Sequence, residues 1–171
     1  FSELGNLFRR YSRARELDPT RPVTAAIVNS EAPDPAEKAR RVMSAARLVD
    51  VLGVNYQEQL FARYHAADPR KVIIASESFA HWRGVESSVH AFGLRNPWYD
   101  AVENRYVAGQ FVWPGIDYLG EASEWPLNGW DVGLLDTAGE LKPAGHFHRC
   151  AWSVKGAVAI AVRDHGLGSG E

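Results

Sequence analysis

The sequence predicts an α/β fold in which strands and helices alternate along the chain. Two observations lead to this prediction: amphipathic helical segments separate short apolar runs, and those runs are continuously apolar. Continuous apolar strands are typical of a parallel sheet that is covered on both faces. Four strand–helix units make half of an eight-stranded barrel, which normally needs about 250 residues. A small doubly wound sheet is the alternative, but no G-x-G-x-x-G turn occurs in the sequence.

The first part of the chain reads as a helix, a strand and a second helix. Apolar residues recur at helical spacing over 4–17, and Asp18-Pro19 ends this helix. Residues 22–28 form an apolar strand that ends at Asn29. Pro35 is a good first residue for the next helix, which we expect to continue to about Leu48.

The same order repeats through the rest of the chain. The predicted elements are a strand over 49–54 ending at Asn55-Tyr56, a helix over 57–67, a strand over 72–77, a long loop over 78–96, a helix over 97–106, a strand over 107–113, an aromatic loop over 114–130, a helix opened by Lys142-Pro143, and a strand over 157–162. We therefore expect one domain over 1–153, and over 154–171 either the start of a β-sandwich-like domain or a tail.

The composition excludes several classes of protein. The chain has 171 residues, 46% hydrophobic and 23% charged, with a net charge of −2, which is an ordinary globular composition. With no basic excess and no long apolar run, we expect neither a nucleic-acid nor a membrane partner. Cys150 is the only cysteine, so an intrachain disulfide is impossible. The sequence starts at Phe1 without a signal pattern, and we expect it to be a piece of a longer polypeptide.

Polar and aromatic side chains follow each predicted strand. In a parallel barrel the strand ends at Asn29, Asn55-Tyr56, Glu77 and Trp113 share one mouth, where active sites lie. Amide and phenol groups bond sugar hydroxyls, and an indole face packs against a pyranose ring. Taken singly, each residue is as readily explained by a helix cap or by packing.

The carboxylate in this set is the strongest candidate for chemistry. Glu77 directly follows an apolar strand, where an acid is costly unless it has partners or a task. It is a candidate nucleophile or proton shuttle. Alternatively, it caps the following helix or pairs with an arginine.

Five segments, in order, resemble glycoside hydrolase family 2 β-galactosidases. They cover the chain from about Leu17 to Trp152 at the spacing of barrel strands. The segments are DPTRPVT (18–24) before the family's fifth strand, VNY (54–56) at its sixth, IIASE (73–77) at its seventh, GQFVWPGIDYLGE (109–121) at its last strand, and GLLDTAGELKP (133–143) before its last helix.

The resemblance implies a fold and a reaction. The chain would form strands five to eight of a (β/α)8 TIM barrel in an enzyme that cleaves terminal β-D-galactosyl residues through a covalent intermediate. Glu77 would be the nucleophile and Tyr56 would hydrogen-bond its carboxylate. Trp113 would form a wall of the galactose subsite, and Asn55 would contact the sugar or support the site. The implied partners are a β-galactoside and the rest of the same polypeptide, an N-terminal half-barrel and β domains; no cofactor is implied.

The second carboxyl group of a retaining glycosidase is absent from this sequence. Such enzymes use two carboxyl groups about 5–5.5 Å apart, and the family supplies the acid/base as the glutamate of an Asn-Glu pair. Glu103-Asn104 has the reverse order and lies in a predicted helix. We expect the acid/base to precede Phe1. We also expect the isolated chain to be inactive and marginally stable, because a half-barrel leaves sheet edges unpaired.

Other activities stay open. Residues 78–84 follow the family only loosely, and Pro114 stands where many relatives carry a hydroxyl residue. A β-glucuronidase, a β-mannosidase or a non-catalytic carbohydrate-binding remnant are the alternatives. A glucuronidase should offer cations to a uronate, whereas the strand ends here are neutral apart from Glu77. A Schiff-base aldolase would need a strand-end lysine, and these ends have none.

The remaining candidates have structural explanations. His146 and His148 diverge in the helix that we predict, so we expect no metal site there. We interpret Asp117 and Glu121 as structural rather than as substrate contacts. Three tryptophans of the mouth loops either line outer sugar subsites or fix the loops, namely Trp82, Trp125 and Trp130.

Overall fold

The computed structural model describes residues 3–28, 34–79, 96–122 and 125–160. The chain divides into two compact units. The first runs to Ser78 and includes Trp98–Phe111, and the second contains Phe79–Pro97 and Val112–Glu171. The predicted strand end at Asn29 lies outside the described residues.

A four-stranded sheet with the strand order β1-β2-β3-β4 organises the first unit. β1 pairs with β2 and β2 with β3 in parallel, which confirms the predicted α/β character. The elements from the N-terminus are α1 (Glu3–Leu17), β1 (Thr24–Ile27), α2 (Pro35–Ala46), β2 (Val51–Asn55), a 3-10 turn (Glu58–Leu60), α3 (Phe61–Ala67), β3 (Ile73–Phe79), α4 (Pro97–Val102) and β4 (Val107–Trp113), whose last two residues belong to the second unit.

The start of α2 shows how the local sequence sets an element. The Asp34 carboxylate accepts hydrogen bonds from the backbone N–H groups of Ala36 at 2.7 Å and Glu37 at 2.9 Å. Pro35 occupies the first helical position, where its missing N–H costs nothing. The capping residue and the proline together fix the start of α2.

The core of the first unit is the contact of α2 and α3 with one face of the sheet. Its buried members are Val42, Ala46, Leu52, Val54, Leu60, Phe61, Tyr64, Ile73 and Ala75. On β2, Leu52 and Val54 belong to this core, whereas Gly53 between them approaches β1 on the other side. A Cβ at Gly53 would lie 2.6 Å from the Ala25 carbonyl oxygen, so glycine is required for close strand packing. The packed face fixes where the carboxyl ends of β2 and β3 lie.

The second unit contains a short hairpin and one helix. Its elements are β5 (Tyr118–Leu119) and β6 (Gly129–Trp130), which pair antiparallel, and α5 (Pro143–Trp152). Leu134 and Ala144 form its small buried core, with Val112 and Leu135 packed against them.

Several predicted boundaries are corrected by the structure. β3 continues two residues past Glu77 to Phe79, and α4 ends at Val102 rather than near 106. The predicted loop over 114–130 contains the hairpin β5–β6. Residues 157–160 are exposed and carry no strand, while the rest of that predicted strand lies outside the described residues. The boundary at 153 and the β domain after it stay predictions.

Among the helices that the structure describes, none has the length and apolar character to cross a lipid bilayer.

Candidate functional site

Glu77 lies near the carboxyl end of β3, with a hydrogen-bond donor on each carboxylate oxygen. The Tyr56 hydroxyl donates to Oε1 at 2.5 Å, and the Asn55 amide donates to Oε2 at 2.6 Å. In the described part of the chain no cation lies within ion-pair distance of this carboxylate. The partners described for this carboxylate are two neutral side chains. Two donors from β2 and the turn after it hold the carboxylate plane in one orientation.

Asn55 is itself held in place by a neighbour of the carboxylate. The Ser76 hydroxyl donates to Asn55 Oδ1 at 2.8 Å, which leaves the Asn55 amide nitrogen facing Glu77. Asn55 is buried, with 7% of its surface exposed. The chain of hydrogen bonds from Ser76 through Asn55 to Glu77 fixes the amide orientation and makes Asn55 a donor to the carboxylate.

A β-bulge at Ser76 brings Asn55 and Glu77 together. Val54 pairs with Ala75, but the next residue, Asn55, pairs with Glu77 instead of Ser76. Side chains alternate between the faces of a regular strand, so an unbroken register would put Glu77 on the face of buried Ala75. The extra residue lets Ser76 and Glu77, although consecutive, both reach the side chain of Asn55.

Tyr56 has a backbone conformation that non-glycine residues rarely adopt. Its φ is 55°, in the left-handed region, which costs of the order of 1–3 kcal/mol for a residue with a side chain. Its backbone N–H donates to the Glu77 carbonyl oxygen at 2.9 Å. This main-chain bond and the phenol bond to the carboxylate both depend on the strained turn. Backbone strain held by surrounding contacts is a property that clusters at functional sites.

The two residues after Tyr56 bind the neighbouring strands. Gln57, 1% exposed, donates from Nε2 to the Ile27 carbonyl oxygen at 2.8 Å and accepts from the Tyr64 hydroxyl at 2.5 Å. The Ser78 hydroxyl donates to Glu58 Oε1 at 2.5 Å. Burial raises the pKa of the Tyr64 phenol, so Tyr64 remains a neutral donor over the usual pH range.

Trp113 belongs to an aromatic cluster in the second unit. Its ring meets Tyr118 edge-on at 6.1 Å and Trp130 at 5.7 Å, the geometry favoured by ring quadrupoles. The Trp130 indole N–H donates to the Glu121 carbonyl oxygen. Trp130 thus fixes the hairpin, whereas the Trp125 side chain is 91% exposed. Trp82 lies outside the described residues.

Asp117 has structural partners in the second unit. Its carboxylate accepts two hydrogen bonds of 2.9 Å from Lys142 Nζ and one of 2.7 Å from the Gly133 N–H. The two side chains are 12% and 16% exposed. The ion pair joins the segment after β4 to the start of α5, which agrees with the structural interpretation of Asp117.

The histidine pair lies in a helix, as predicted. His146 and His148 belong to α5, where side chains two positions apart diverge. No group of three metal-ligating side chains occurs within the described ranges.

Sequence analysis did not predict four residues of this network, namely Gln57, Glu58, Ser76 and Ser78. Helical spacing carried a signal for the first two. Gln57 lies four positions before Phe61 and seven before Tyr64, and Glu58 lies three before Phe61, so both fall on the apolar face of the helix that the sequence predicts over 57–67. Polar residues on an apolar helix face require partners. No periodic signal marked the two serines, because the bulge interrupts the alternation of β3.

The arrangement in the first unit presents an oriented carboxylate at a strand end. A carboxylate with fixed lone pairs can attack an electrophilic carbon or exchange a proton with a bound molecule. The two hydrogen-bond donors to this carboxylate are the side chains of Asn55 and Tyr56, which the sequence predicts at the end of the neighbouring strand. The structure thus brings three of the predicted site residues, Asn55, Tyr56 and Glu77, into direct contact.

Similar proteins are glycoside hydrolases. No protein-family model matches the chain. The curated β-galactosidase BoGH2A of Bacteroides ovatus is 27% identical over 179 residues, which cover 84% of this chain and 20% of that protein. A solved glycosyl hydrolase family 2 member from Bacteroides cellulosilyticus is 27% identical with a TM-score of 0.64, and the match covers 88% of this chain and 18% of that one.

More distant structures share the fold. β-Glucuronidase 2 of Bacteroides uniformis is 19% identical with a TM-score of 0.63, over 87% of this chain and 20% of its own. The β-glucuronidase of Dictyoglomus thermophilum is 23% identical with a TM-score of 0.60, and the match covers 85% of this chain and 28% of that one. The chain spans about a fifth of the length of the curated relative that it matches. The relatives support a glycosidase function at the level of the family.

Proposed function

We propose that this chain supplies the nucleophile of a retaining glycoside hydrolase that cleaves terminal β-D-galactosyl residues. The observation that carries the proposal is the Glu77 carboxylate with a donor on each oxygen, at the end of a strand in a parallel sheet. In this proposal β1 to β4 are strands five to eight of a (β/α)8 barrel. The rest of the barrel and the β domains belong to other parts of the same polypeptide.

The reaction proceeds in two displacement steps. Glu77 attacks the anomeric carbon, the bond to the leaving oxygen breaks, and a glycosyl ester forms on the Glu77 carboxylate. The leaving oxygen takes a proton from a second carboxyl group, which another part of the polypeptide supplies. That group, now a carboxylate, removes a proton from water, and the water oxygen attacks the anomeric carbon and frees Glu77.

The residues around Glu77 divide the supporting tasks. Tyr56 and Asn55 hold the Glu77 carboxylate in the orientation needed for attack, because each donates a short hydrogen bond to one carboxylate oxygen. Trp113 forms the aromatic wall of the galactose subsite, and its edge contacts with Tyr118 and Trp130 keep that ring rigid.

Galactose is the proposed sugar for two reasons. BoGH2A, the curated relative, is named as a β-galactosidase. The predicted strand-end residues also contain no cation that would pair with a uronate carboxylate. β-Glucuronidase and β-mannosidase activities, and a non-catalytic carbohydrate-binding role, are alternative outcomes of the test.

The test uses the complete polypeptide that contains this chain. It is incubated with 2-deoxy-2-fluoro-β-D-galactosyl fluoride, which forms the ester quickly and hydrolyses it slowly, and the label is mapped by peptide mass spectrometry. We expect one label, on Glu77, and a parallel loss of galactosidase turnover. Turnover with a label on another carboxylate would overturn the assignment of Glu77. Absence of label and turnover with the galactosyl probe, but labelling by the glucuronyl or mannosyl analogue, would change the sugar.

A matched pair of variants tests the role of the carboxylate directly. Glu77→Gly removes the nucleophile, and sodium azide then attacks the same carbon in its place. We expect azide to restore cleavage of an activated aryl galactoside by Glu77→Gly, with the glycosyl azide as product. Glu140→Gly removes an exposed acid of the second unit and should keep full turnover without azide. The 171-residue chain alone should be inactive, since it lacks the acid/base.

A further inference from the structure

The three residues that follow β2 bind both neighbouring strands. Tyr56 donates from its backbone to the Glu77 carbonyl oxygen of β3, at 2.9 Å. Gln57 donates to the Ile27 carbonyl oxygen at the end of β1, at 2.8 Å. Glu58 accepts the hydroxyl hydrogen of Ser78, one residue beyond Glu77. The turn that carries the strained Tyr56 is thereby fixed from two sides.

The contact between Glu58 and Ser78 lies in the interior of the first unit. The side chain of Ser78 is fully buried and that of Glu58 is 2% exposed, and their oxygens are 2.5 Å apart. Glu58 Oε2 is also buried and has no hydrogen-bond partner within the described residues. Acidic side chains are almost never buried to this extent without a specific reason.

A buried carboxylate at this position is not explained by stability alone. A well-packed apolar residue usually serves a core position at least as well as a buried charged group. Glu58 also leaves one buried oxygen without a donor, which carries a desolvation cost. Glu58 instead links two parts of the site. It lies two residues after Tyr56, and its carboxylate binds Ser78, the residue next to Glu77.

We propose that Glu58 and Ser78 are positioning residues for the nucleophile, and that their hydrogen bond holds the Tyr56 turn against the end of β3. This inference rests on the proposed function of Glu77. The strained φ of Tyr56 provides the reason for the bond. Without it, the turn relaxes from the left-handed conformation and carries the phenol away from Glu77 Oε1. Asn55 stays in place, because Ser76 holds it independently.

The test compares variants of the complete polypeptide by their rate of labelling with the fluorogalactosyl fluoride. Ser78→Ala should lower the maximal rate of labelling of Glu77 about tenfold, the effect of losing one hydrogen bond to a charged group. The concentration of probe that gives half of that rate should change less than twofold. Ser78→Thr keeps the hydroxyl and should recover most of the rate. Gln59→Ala, an exposed side chain of the same turn, is the control and should behave as wild type.

A double substitution separates positioning from general destabilisation. If Ser78 acts through Tyr56, then Ser78→Ala should slow labelling less than twofold in a Tyr56→Phe background. Equal losses in both backgrounds would overturn the proposal, as would an unchanged rate in Ser78→Ala. If Ser78→Ala fails to fold, Glu58→Met removes the same bond from the other side and is subject to the same comparison.

A spectroscopic measurement keeps this inference separable from the proposed function. The 13Cζ resonance of Tyr56 reports the hydrogen bond of its phenol and requires no turnover. We expect it to move in Ser78→Ala and to stay in Gln59→Ala. An unmoved resonance would overturn the positioning role even if Glu77 is labelled. A wild-type protein that turns over galactosides but is labelled elsewhere would overturn the nucleophile assignment, whatever the resonance does.

Discussion

Tyr56 is the residue that links the backbone of this site to its chemistry. Its left-handed conformation, its backbone bond to the Glu77 carbonyl oxygen and its phenol bond to the Glu77 carboxylate all occur in one turn. Removing the hydroxyl alone would leave the turn intact, because the backbone bond of Tyr56, the contacts of Gln57 and the bond between Glu58 and Ser78 remain. The phenol can therefore be tested separately from the fold.

Tyr56→Phe should reduce turnover by a factor on the order of 10 to 100, the effect of a lost hydrogen bond to a charged group worth about 1.5–3 kcal/mol. Steady-state kinetics of the complete polypeptide with an aryl galactoside would measure this. Tyr11→Phe is the matched control, since the Tyr11 hydroxyl bonds Asp50, at 3.2 Å. Equal losses in the two variants would argue that the effect comes from stability.

At the scale of single residues, the sequence predicted which residues form the site better than it predicted the hydrogen bonds between them. Asn55, Tyr56 and Glu77 were expected together because parallel strand ends share one edge of a sheet. It was not expected that Ser76 and Glu77 both bind Asn55, since consecutive side chains face opposite sides of a regular strand. Hydrogen bonds that depend on a bulge cannot be found from residue spacing.

At the scale of secondary-structure elements, the close packing of β1 against β2 depends on Gly53. A Cβ there would lie 2.6 Å from the Ala25 carbonyl oxygen and 2.7 Å from Thr24 Oγ1. Gly53→Ala should therefore separate the strands and lower the free energy of unfolding by about 1–3 kcal/mol. Chemical denaturation of the complete polypeptide would measure it. At Gly115 a Cβ meets nothing within 4 Å, so Gly115→Ala should be tolerated; similar losses in both variants would contradict this explanation.

The segment after β4 depends on one ion pair. Lys142→Met leaves the Asp117 carboxylate with only the Gly133 N–H as a partner, in a place where both side chains of the pair are largely buried. We expect a loss of about 3 kcal/mol in the free energy of unfolding. Arg13→Met removes the exposed ion pair with Glu16 on α1 and should cost less than about 1 kcal/mol. Thermal unfolding of both variants compares them, and equal shifts would show that burial of the pair does not matter.

Most elements were predicted because their signals are local. Asp34 and Pro35 set the start of α2, and the apolar runs of β2 and β3 read directly as buried strands. The hairpin β5–β6 was missed, because each strand has only two residues and pairing of that length leaves no periodic pattern. The end of α4 was predicted too late, since Asn104 donates its side-chain amide to the Asp100 carbonyl oxygen and competes with continued helix there.

In the first unit as a whole, Asp50 joins α1 to the beginnings of β1 and β2. The Val23 N–H, then the Tyr11 hydroxyl and the charges of Arg15 and Lys71, hold the pKa of this carboxyl below its usual 3.8. A lowered folded-state pKa contributes stability that is present above 3.8 and is lost as the pH falls through the folded-state pKa.

Asp50→Asn should therefore be less stable than wild type at neutral pH, and the difference should narrow towards about pH 2. Urea unfolding at a series of pH values would show this. Tyr11→Phe removes one of the donors and should reproduce part of the effect with the same pH dependence. A difference that stays constant from pH 7 to about pH 2 would mean that the charge of Asp50 is not responsible.

The two outer strands of the sheet determine whether the isolated chain stays monomeric or aggregates. Within the described residues, β1 and β4 have no neighbour on their outer sides, and Phe111 on β4 is 64% exposed. Exposed strand edges and apolar side chains promote association. We expect the isolated 171-residue chain to aggregate or bind a hydrophobic dye, as judged by light scattering and fluorescence. A monomer with cooperative unfolding would contradict the half-barrel proposal.

At the level of the whole molecule, the class of the fold could be predicted from the sequence, but its division into two units could not. Alternating strands and helices predicted a parallel sheet, which β1, β2 and β3 form. The division into two compact units was not foreseen, because the predicted single domain over 1–153 followed the order of elements along the chain. Tertiary contacts, which sequence periodicity does not report, determine where such units separate.

The bulge at Ser76 makes this protein unusually sensitive to the loss of one residue. Removing Ser76 would restore an uninterrupted pairing of β2 with β3 and thus a more regular strand. The deletion would leave Glu77 opposite Asn55, because the acid would then follow Ala75 directly and alternate with it. It would also remove the hydroxyl that fixes the orientation of the Asn55 amide. A homologue lacking that residue would keep a sound scaffold and a glutamate in its alignment column, yet its asparagine could turn its carbonyl oxygen towards the acid. Single-residue gaps at Ser76 should therefore be read as changes of function, even where overall similarity is high.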